Sequence, residues 1–261
     1  MGLLQGATEF LPVSSSGHLV LVPWLLGWPN PGLAFDSVLH LGTLLAVLAY
    51  MRAEIVVVIA GWWRSVRRRT LDSPEERLGW LIVVSAIPGA ILGFFLEDYF
   101  EALFASPRSA ALLLLVTGAL LVASERLGRR DRCLHQAGLR DAVWIGLAQA
   151  LAIAPGISRS GATIAGGLLR GLRREDAARF SFLIVIPIIA GAAGLQLAKL
   201  VNTGINASQS TNLLVGFVAA FVVGYAAIGF LLGYLRTRTL RPFAFYCWGF
   251  GVLSLAITYI R

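Results

Sequence analysis

Six apolar runs, near residues 34–51, 79–97, 109–125, 180–200, 212–235 and 242–260, set the limits on this fold. Each is long enough to cross a bilayer as a helix of about 20 residues. With 261 residues, 57% of them hydrophobic and 14% charged, and a mean hydropathy of +0.76, the chain has too little polar surface for a soluble domain of its size. We therefore read residues 1–261 as one all-α integral membrane domain. The formal net charge of +8 does not point to nucleic acid, because the arginines gather in short loops between apolar runs, as topology signals do. Cys133 and Cys247 lack metal-ligand spacing and read as free thiols. Glu9 interrupts the N-terminal apolar stretch and no basic leader precedes it, which argues against a signal peptide. Gly6 stands where a myristoylation motif wants Ser or Thr.

Two further segments, about 2–27 and 143–170, are apolar at both ends and rich in Ser, Gly and Pro between. Each reads as helix, turn, helix. Unpaired backbone in hydrocarbon costs several kcal/mol per group, so such a break is tolerated only where protein or a wet cavity covers it. The expectation is therefore six transmembrane helices plus two re-entrant helical hairpins. The segments also share a register: Gln149, Ser158, Ser160, Gly161, Gly171, Ala178, Ser181 and Leu183 lie 144 positions after Gln5, Ser14, Ser16, Gly17, Gly27, Ala34, Ser37 and Leu39. That correspondence reads as an internal duplication, with repeat 1 about 1–127 and repeat 2 about 143–261.

Loop charge supplies the orientation. Arg52, Arg64, Arg67, Arg68, Arg69 and Arg77 place the connection between the first two spans in the cytoplasm. So do Arg126, Arg129, Arg130, Arg132 and Arg140 before the second hairpin, Arg170, Arg173, Arg174 and Arg179 after it, and Arg236, Arg238 and Arg241 before the last span. The stretch from Glu97 to Ser106 carries Glu97, Asp98 and Glu101 without a base, and Asn202 to Asn212 is uncharged, so both face outside, as do the termini. A unit of one hairpin and three spans crosses an odd number of times, so the second copy is inverted. The two polar tips are then expected to meet near the midplane, where inverted-repeat proteins build their sites.

The first tip carries Gln5-Gly-Ala-Thr-Glu9-Phe-Leu-Pro12-Val-Ser14-Ser15-Ser16-Gly17-His18, and the second Pro155-Gly156-Ile-Ser158-Arg159-Ser160-Gly161. A carboxylate at span depth costs on the order of 2.5–3.5 kcal/mol, so Glu9 marks a site or a pathway. Gln5 lies one helical turn earlier on the same face. The two oxygens suit a divalent cation, or Glu9 alone suits a base. Arg159 between two serines fits phosphate recognition, with Glu9 its partner when no phosphate is bound. His18 is placed to move a proton, and Ser14, Ser15 and Ser16 are either hydroxyl donors, a nucleophile or small packing residues. Asp36 and His40 are second-rank candidates, while Trp24 and Trp28 fit an interfacial belt. An oxyanion bearing a lipid tail is the ligand these groups suit.

These two motifs resemble those of the bacterial undecaprenyl-diphosphate phosphatases associated with bacitracin resistance, and the likeness extends along the whole chain. The resemblance implies hydrolysis of undecaprenyl diphosphate to undecaprenyl phosphate and phosphate, returning the lipid carrier to peptidoglycan synthesis. It implies a multi-pass protein of the bacterial plasma (inner) membrane, with its site facing the periplasm or outside, and bacitracin competing for the lipid. By motif position, Glu9 and Gln5 would hold a divalent cation, magnesium or calcium. Glu9, Ser15, His18 and Arg159 would carry catalysis. Ser14, Ser16, Ser158, Arg159, Ser160, Gly161 and Thr163 would bind the diphosphate. Gln5 stands where some members have a second glutamate, so Glu9 must be the base here. The attacking group, serine or water, stays open, and so does the assembly state, a homodimer included.

Two rivals remain. Facing hairpins in inverted repeats also suit a polyprenyl-phosphate flippase. Ser16-Gly17-His18 and Ser158-Arg159 are similar to motifs of the phosphatidic acid phosphatase superfamily, but Gly161 to Arg179 lacks the histidine that its second motif would continue to.

Overall fold

The computed structural model describes residues 1–29, 32–96, 103–203 and 207–260. Glu97, Asp98 and Glu101, and the middle of the connection from Asn202 to Asn212, lie outside the described residues. Within them the chain forms eleven α-helices and a 3-10 turn at Leu134–Gln136, and no strand.

The first broken segment is α1 (Gly2–Phe10) and α2 (Ser15–Leu26), and the second is α7 (Leu139–Leu151) and α8 (Arg159–Leu169). Between and after them run α3 (Leu33–Tyr50), α4 (Arg52–Arg68), α5 (Pro74–Phe95), α6 (Pro107–Leu127), α9 (Arg174–Thr203), α10 (Ala207–Leu235) and α11 (Arg241–Ile260). Local chemistry starts the spans where it should: Pro74 and Pro107 open α5 and α6, where a missing N–H costs nothing. Ser73 Oγ then accepts from Glu76 N at 3.2 Å, and Ser106 Oγ from Ser109 N at 3.2 Å.

Among the described residues, α5, α6, α10 and α11 are long and apolar enough to cross a membrane, and α3 with α4 forms a fifth candidate bent by 83°. The bend corrects one expectation. Most of the arginine-rich connection between the first two spans is not a loop but α4. Its Val56, Val57, Ile59, Trp63 and Val66 are exposed while Val58, Gly61 and Ser65 are buried. A helix with one apolar face, and with Arg64, Arg67 and Arg68 at its end, has too low a mean hydropathy to register as a span.

Packing is by small residues at the crossings. α1 lies on α10 so closely that a Cβ on Gly2 would sit 2.4 Å from the Gly216 carbonyl oxygen. α7 lies on α5 in the same way, with a Cβ on Gly146 reaching 2.6 Å from the Ser85 carbonyl oxygen. Close backbone approach of this kind is how helices associate where burial from water supplies no drive. A buried core of Phe10, Phe180, Phe182, Leu121, Ile145 and Leu183 runs through the bundle, with Phe10 edge-on to Phe182 at 5.3 Å. Outward surfaces are apolar: only 17% of the most apolar window of α5 is buried, which leaves the rest to lipid.

Candidate active site

Glu9 sits in the last turn of α1, and the chain reverses through Leu11–Ser14 so that α2 begins at Ser15. The reversal carries the Ser15 hydroxyl back onto the carboxylate. Glu9 is 4% exposed, and its Oε2 accepts hydrogen bonds from Ser15 Oγ at 2.6 Å and Gln5 Nε2 at 2.9 Å. Its Oε1 accepts from the guanidinium of Arg159, the first residue of α8. His40 on α3 brings Nε2 within 3.7 Å of Oε2. One carboxylate therefore gathers groups from both broken segments and a span. The Gln5 amide oxygen is buried and has no hydrogen-bond partner among the described residues.

The same capping device builds both tips. Ser14 Oγ accepts from Gly17 N at 3.1 Å and lies 3.3 Å from Ser16 Oγ. Ser158 Oγ accepts from Gly161 N at 3.0 Å and lies 3.1 Å from Ser160 Oγ. These serines satisfy N–H groups that the first turn of a helix leaves open, and so hold their hydroxyls beside a helix N-terminus, a place that favours anions. The tips touch directly. Ser160 Oγ donates to the Leu11 carbonyl at 2.9 Å, and a Cβ on Gly17 would lie 3.1 Å from Gly156 Cα.

Two expected residues face elsewhere. His18 stacks on Phe250 at 4.8 Å and on Tyr246 at 5.6 Å. Its Nδ1 lies 2.7 Å from the Ser14 carbonyl, which only accepts, so Nδ1 carries the proton and Nε2 accepts from Tyr246 OH at 2.7 Å. Both ring nitrogens are therefore engaged away from Glu9. The Thr163 hydroxyl is buried among the Arg159 and Ser160 carbonyls and Ser181 Oγ, at 2.8, 3.2 and 2.6 Å, and braces the first turn of α8.

Several supports were not legible beforehand. Thr117 on α6 donates to the Gly156 carbonyl at 2.9 Å and accepts from Ser158 N at 2.9 Å, fixing the turn that presents Arg159. Tyr246 on α11 holds His18. Glu125 accepts from Arg130 at 2.8 Å, from Arg174 at 2.8 and 2.7 Å and from Leu240 N at 2.8 Å. Asp141 accepts from Arg132 at 2.8 Å, Arg170 at 2.7 Å and Gly138 N at 2.9 Å. Burial pushes the Asp141 carboxyl up, but those hydrogen bonds outweigh it and hold it below its ordinary value. Arginines that signal topology in the sequence thus also tie α6, α7 and α9 together at one end of the bundle. A carboxylate inside a span was the available signal for Glu125, the same one that singles out Glu9.

A family model described as bacitracin resistance protein BacA matches residues 1–253. The chain belongs to the BacA family. Relatives cover it almost end to end. A protein of Thermomicrobium roseum is 44% identical over 270 residues, spanning 100% of this chain and 97% of its own length. One of Rubrobacter xylanophilus is 46% identical, over 98% of this chain and 96% of its own length. One of Pelobacter propionicus is 45% identical, over 99% and 96%. Each of the three carries the name undecaprenyl-diphosphatase. In this BacA-family chain, the residues gathered at the two tips are those of the two motifs that carried the resemblance.

Proposed function

We propose that this chain is an undecaprenyl-diphosphate phosphatase, cleaving the lipid diphosphate to undecaprenyl phosphate and inorganic phosphate. The observation that carries the reading is the Ser15 hydroxyl donating to Glu9 Oε2 at 2.6 Å while Arg159 holds the other oxygen of the same carboxylate. A base, a hydroxyl and a permanent cation with two-pronged phosphate geometry then share one buried point.

In this reading Arg159 leaves Glu9 for the diphosphate when substrate enters, and the helix N-termini behind Ser14 and Ser158 add N–H donors. Glu9 takes the Ser15 proton, Ser15 Oγ bonds to the terminal phosphorus, and the anhydride P–O bond breaks with its electron pair on the departing undecaprenyl phosphate. The proton passes to that oxygen and restores the Glu9 carboxylate. Glu9 then deprotonates water, which attacks the phosphoserine; phosphate leaves and Ser15 regains its proton. His18, with both nitrogens engaged, acts by fixing the Ser14 turn and, on transient release from Tyr246, as a proton carrier. Ser16, Ser160, Gly161 and Thr163 complete and brace the phosphate cradle.

Gln5 and Glu9 fit a divalent cation as oxygen donors: among the described residues the buried Gln5 Oε1 has no partner, a costly state that a cation would relieve. Among the described residues no three His, Cys, Asp or Glu side chains converge, so the donor set must draw on the amide. When bound, a cation there neutralises phosphate charge.

The membrane reading is six spans with two re-entrant hairpins of opposite entry. Supporting it are the matched serine caps, and Gly2 and Gly146, which share the 144-residue offset and each meet a span helix belonging to the other half. It sets the site at the outer face of the plasma membrane, where bacitracin would compete for the lipid. Whether the chain works alone or as a homodimer is decided by its mass in nanodiscs.

The test is phosphate release by purified protein from undecaprenyl diphosphate, with and without chelator. Release that needs Glu9 and Arg159 supports hydrolysis. Movement of intact lipid phosphate across vesicles without release would replace it with the flippase.

A further inference from the structure

His40 is the one histidine beside the Glu9 cluster among the described residues, and the motifs do not include it. Its Nδ1 lies 2.8 Å from the Asp36 carbonyl oxygen, one turn back on α3. A carbonyl only accepts, so Nδ1 carries a proton, and the ring turns Nε2 towards Glu9 Oε2 at 3.7 Å. That gap is too long for a hydrogen bond between the two. A cation between the two would take one lone pair from each. Metal-bound histidines have this arrangement, with one ring nitrogen donating to a carbonyl and the other aimed at the ion.

We infer that His40 is the third protein donor to the divalent cation, alongside the Glu9 carboxylate and the Gln5 amide oxygen. The inference rests on reading Glu9 and Gln5 as ligands. Rotation of the Gln5 amide turns its unpartnered oxygen towards Glu9 Oε2, where its Nε2 now donates at 2.9 Å. A cation between them would bind both oxygens in that orientation. The three donors come from adjacent α1 and α3, and the His40 side chain is 30% exposed, which leaves a path for water or a phosphate oxygen to fill the open positions. One imidazole nitrogen with two oxygens favours a divalent transition ion over calcium or magnesium, which take oxygen sets. The site's chemistry is therefore that of manganese, cobalt or zinc.

The test uses the untagged full chain in nanodiscs, loaded with Mn2+ and measured by electron spin echo. The bound ion should show imidazole nitrogen modulation, and His40→Ala should remove it and weaken Mn2+ binding at least about tenfold. Mn2+ should also bind more tightly than Ca2+, with the preference shrinking in His40→Ala. Bound Mn2+ without nitrogen modulation overturns the inference, as does modulation or affinity unchanged in His40→Ala, or a wild-type chain that binds no Mn2+. The wild-type spectrum decides the matter even if the variant fails to fold. Phosphate release from undecaprenyl diphosphate is measured on the same preparation. Release without nitrogen coordination removes the His40 inference alone, and nitrogen coordination without release removes the phosphatase reading alone.

Discussion

Gly17 in the first hairpin and Gly156 in the second meet backbone to backbone: a Cβ added to Gly17 would lie 3.1 Å from Gly156 Cα. Gly156 is the tighter position. It holds φ +100°, a region that L side chains rarely adopt, and a Cβ there would come 2.2 Å from the Ala110 carbonyl oxygen. Gly156→Ala should destabilise the protein by on the order of 1–3 kcal/mol, read as a lower Tm in detergent. Gly17→Ala, facing a milder contact at ordinary φ, should cost less. Equal Tm losses would mean that the tips yield more easily than their geometry implies.

Glu9→Gln keeps the shape of the side chain and removes the base, so phosphate release should fall by about 100- to 10,000-fold. Arg159→Lys should also fail, by about 100-fold or more, because an ammonium cannot reproduce the two-pronged guanidinium contact. Steady-state assays on the lipid diphosphate check both, and near-normal release by Arg159→Lys would show that charge alone suffices.

Thr117→Val removes one hydroxyl that serves two backbone groups of the second turn, the Gly156 carbonyl and Ser158 N. Leaving them buried and unpaired should cost about 1–3 kcal/mol. Phosphate release should drop as well, since that turn aims Arg159. Thermal unfolding and the lipid assay together separate this from a purely structural loss.

The Asp141 latch carries a pH signature. Its carboxyl lies below its ordinary value of 3.8 in the folded chain, so the stability it supplies is fully present above that value. That stability is lost as pH falls through the folded value. Wild-type Tm should therefore drop towards the acid end, and Asp141→Asn should be less stable at neutral pH with a flatter acid limb. Parallel Tm curves for the two would exclude Asp141 as a source of acid sensitivity.

Tyr246→Phe removes the donor to His18 Nε2 while keeping the stacked ring. The unpaired buried nitrogen should cost about 1–3 kcal/mol in thermal stability. If His18 serves mainly to hold the Ser14 turn, kcat should change far less than in Glu9→Gln. A kcat loss as large as that of Glu9→Gln would instead put the His18–Tyr246 pair in the proton path.

Much of the scaffold was legible because bilayer thickness and apolar run length are tied by one number, the helical rise. The two broken segments were legible for a related reason: Pro, Gly and Ser interrupt apolar sequence only where something covers the break. Helix α4 was missed because averaged hydropathy cannot see a helix with one apolar face. Thr117 and Tyr246 were missed because nothing in their own neighbourhoods marks a hydroxyl that will meet a turn 39 positions later or a histidine 228 positions earlier.

Taken alone, then, the sequence determined that this chain belongs in a membrane, where its helices break, and which side chains are too polar to sit there idly. Those are local properties, set by the transfer energy of each residue and the conformations its backbone allows. The sequence already pointed to Glu9 as the partner of Arg159, and the structure brings the two together. Only the tertiary structure decided that His40 faces the same carboxylate and that His18 turns to Tyr246 instead. Partners 150 positions apart are selected by how helices cross, and crossing depends on glycines such as Gly2 and Gly146 letting one backbone lie against another.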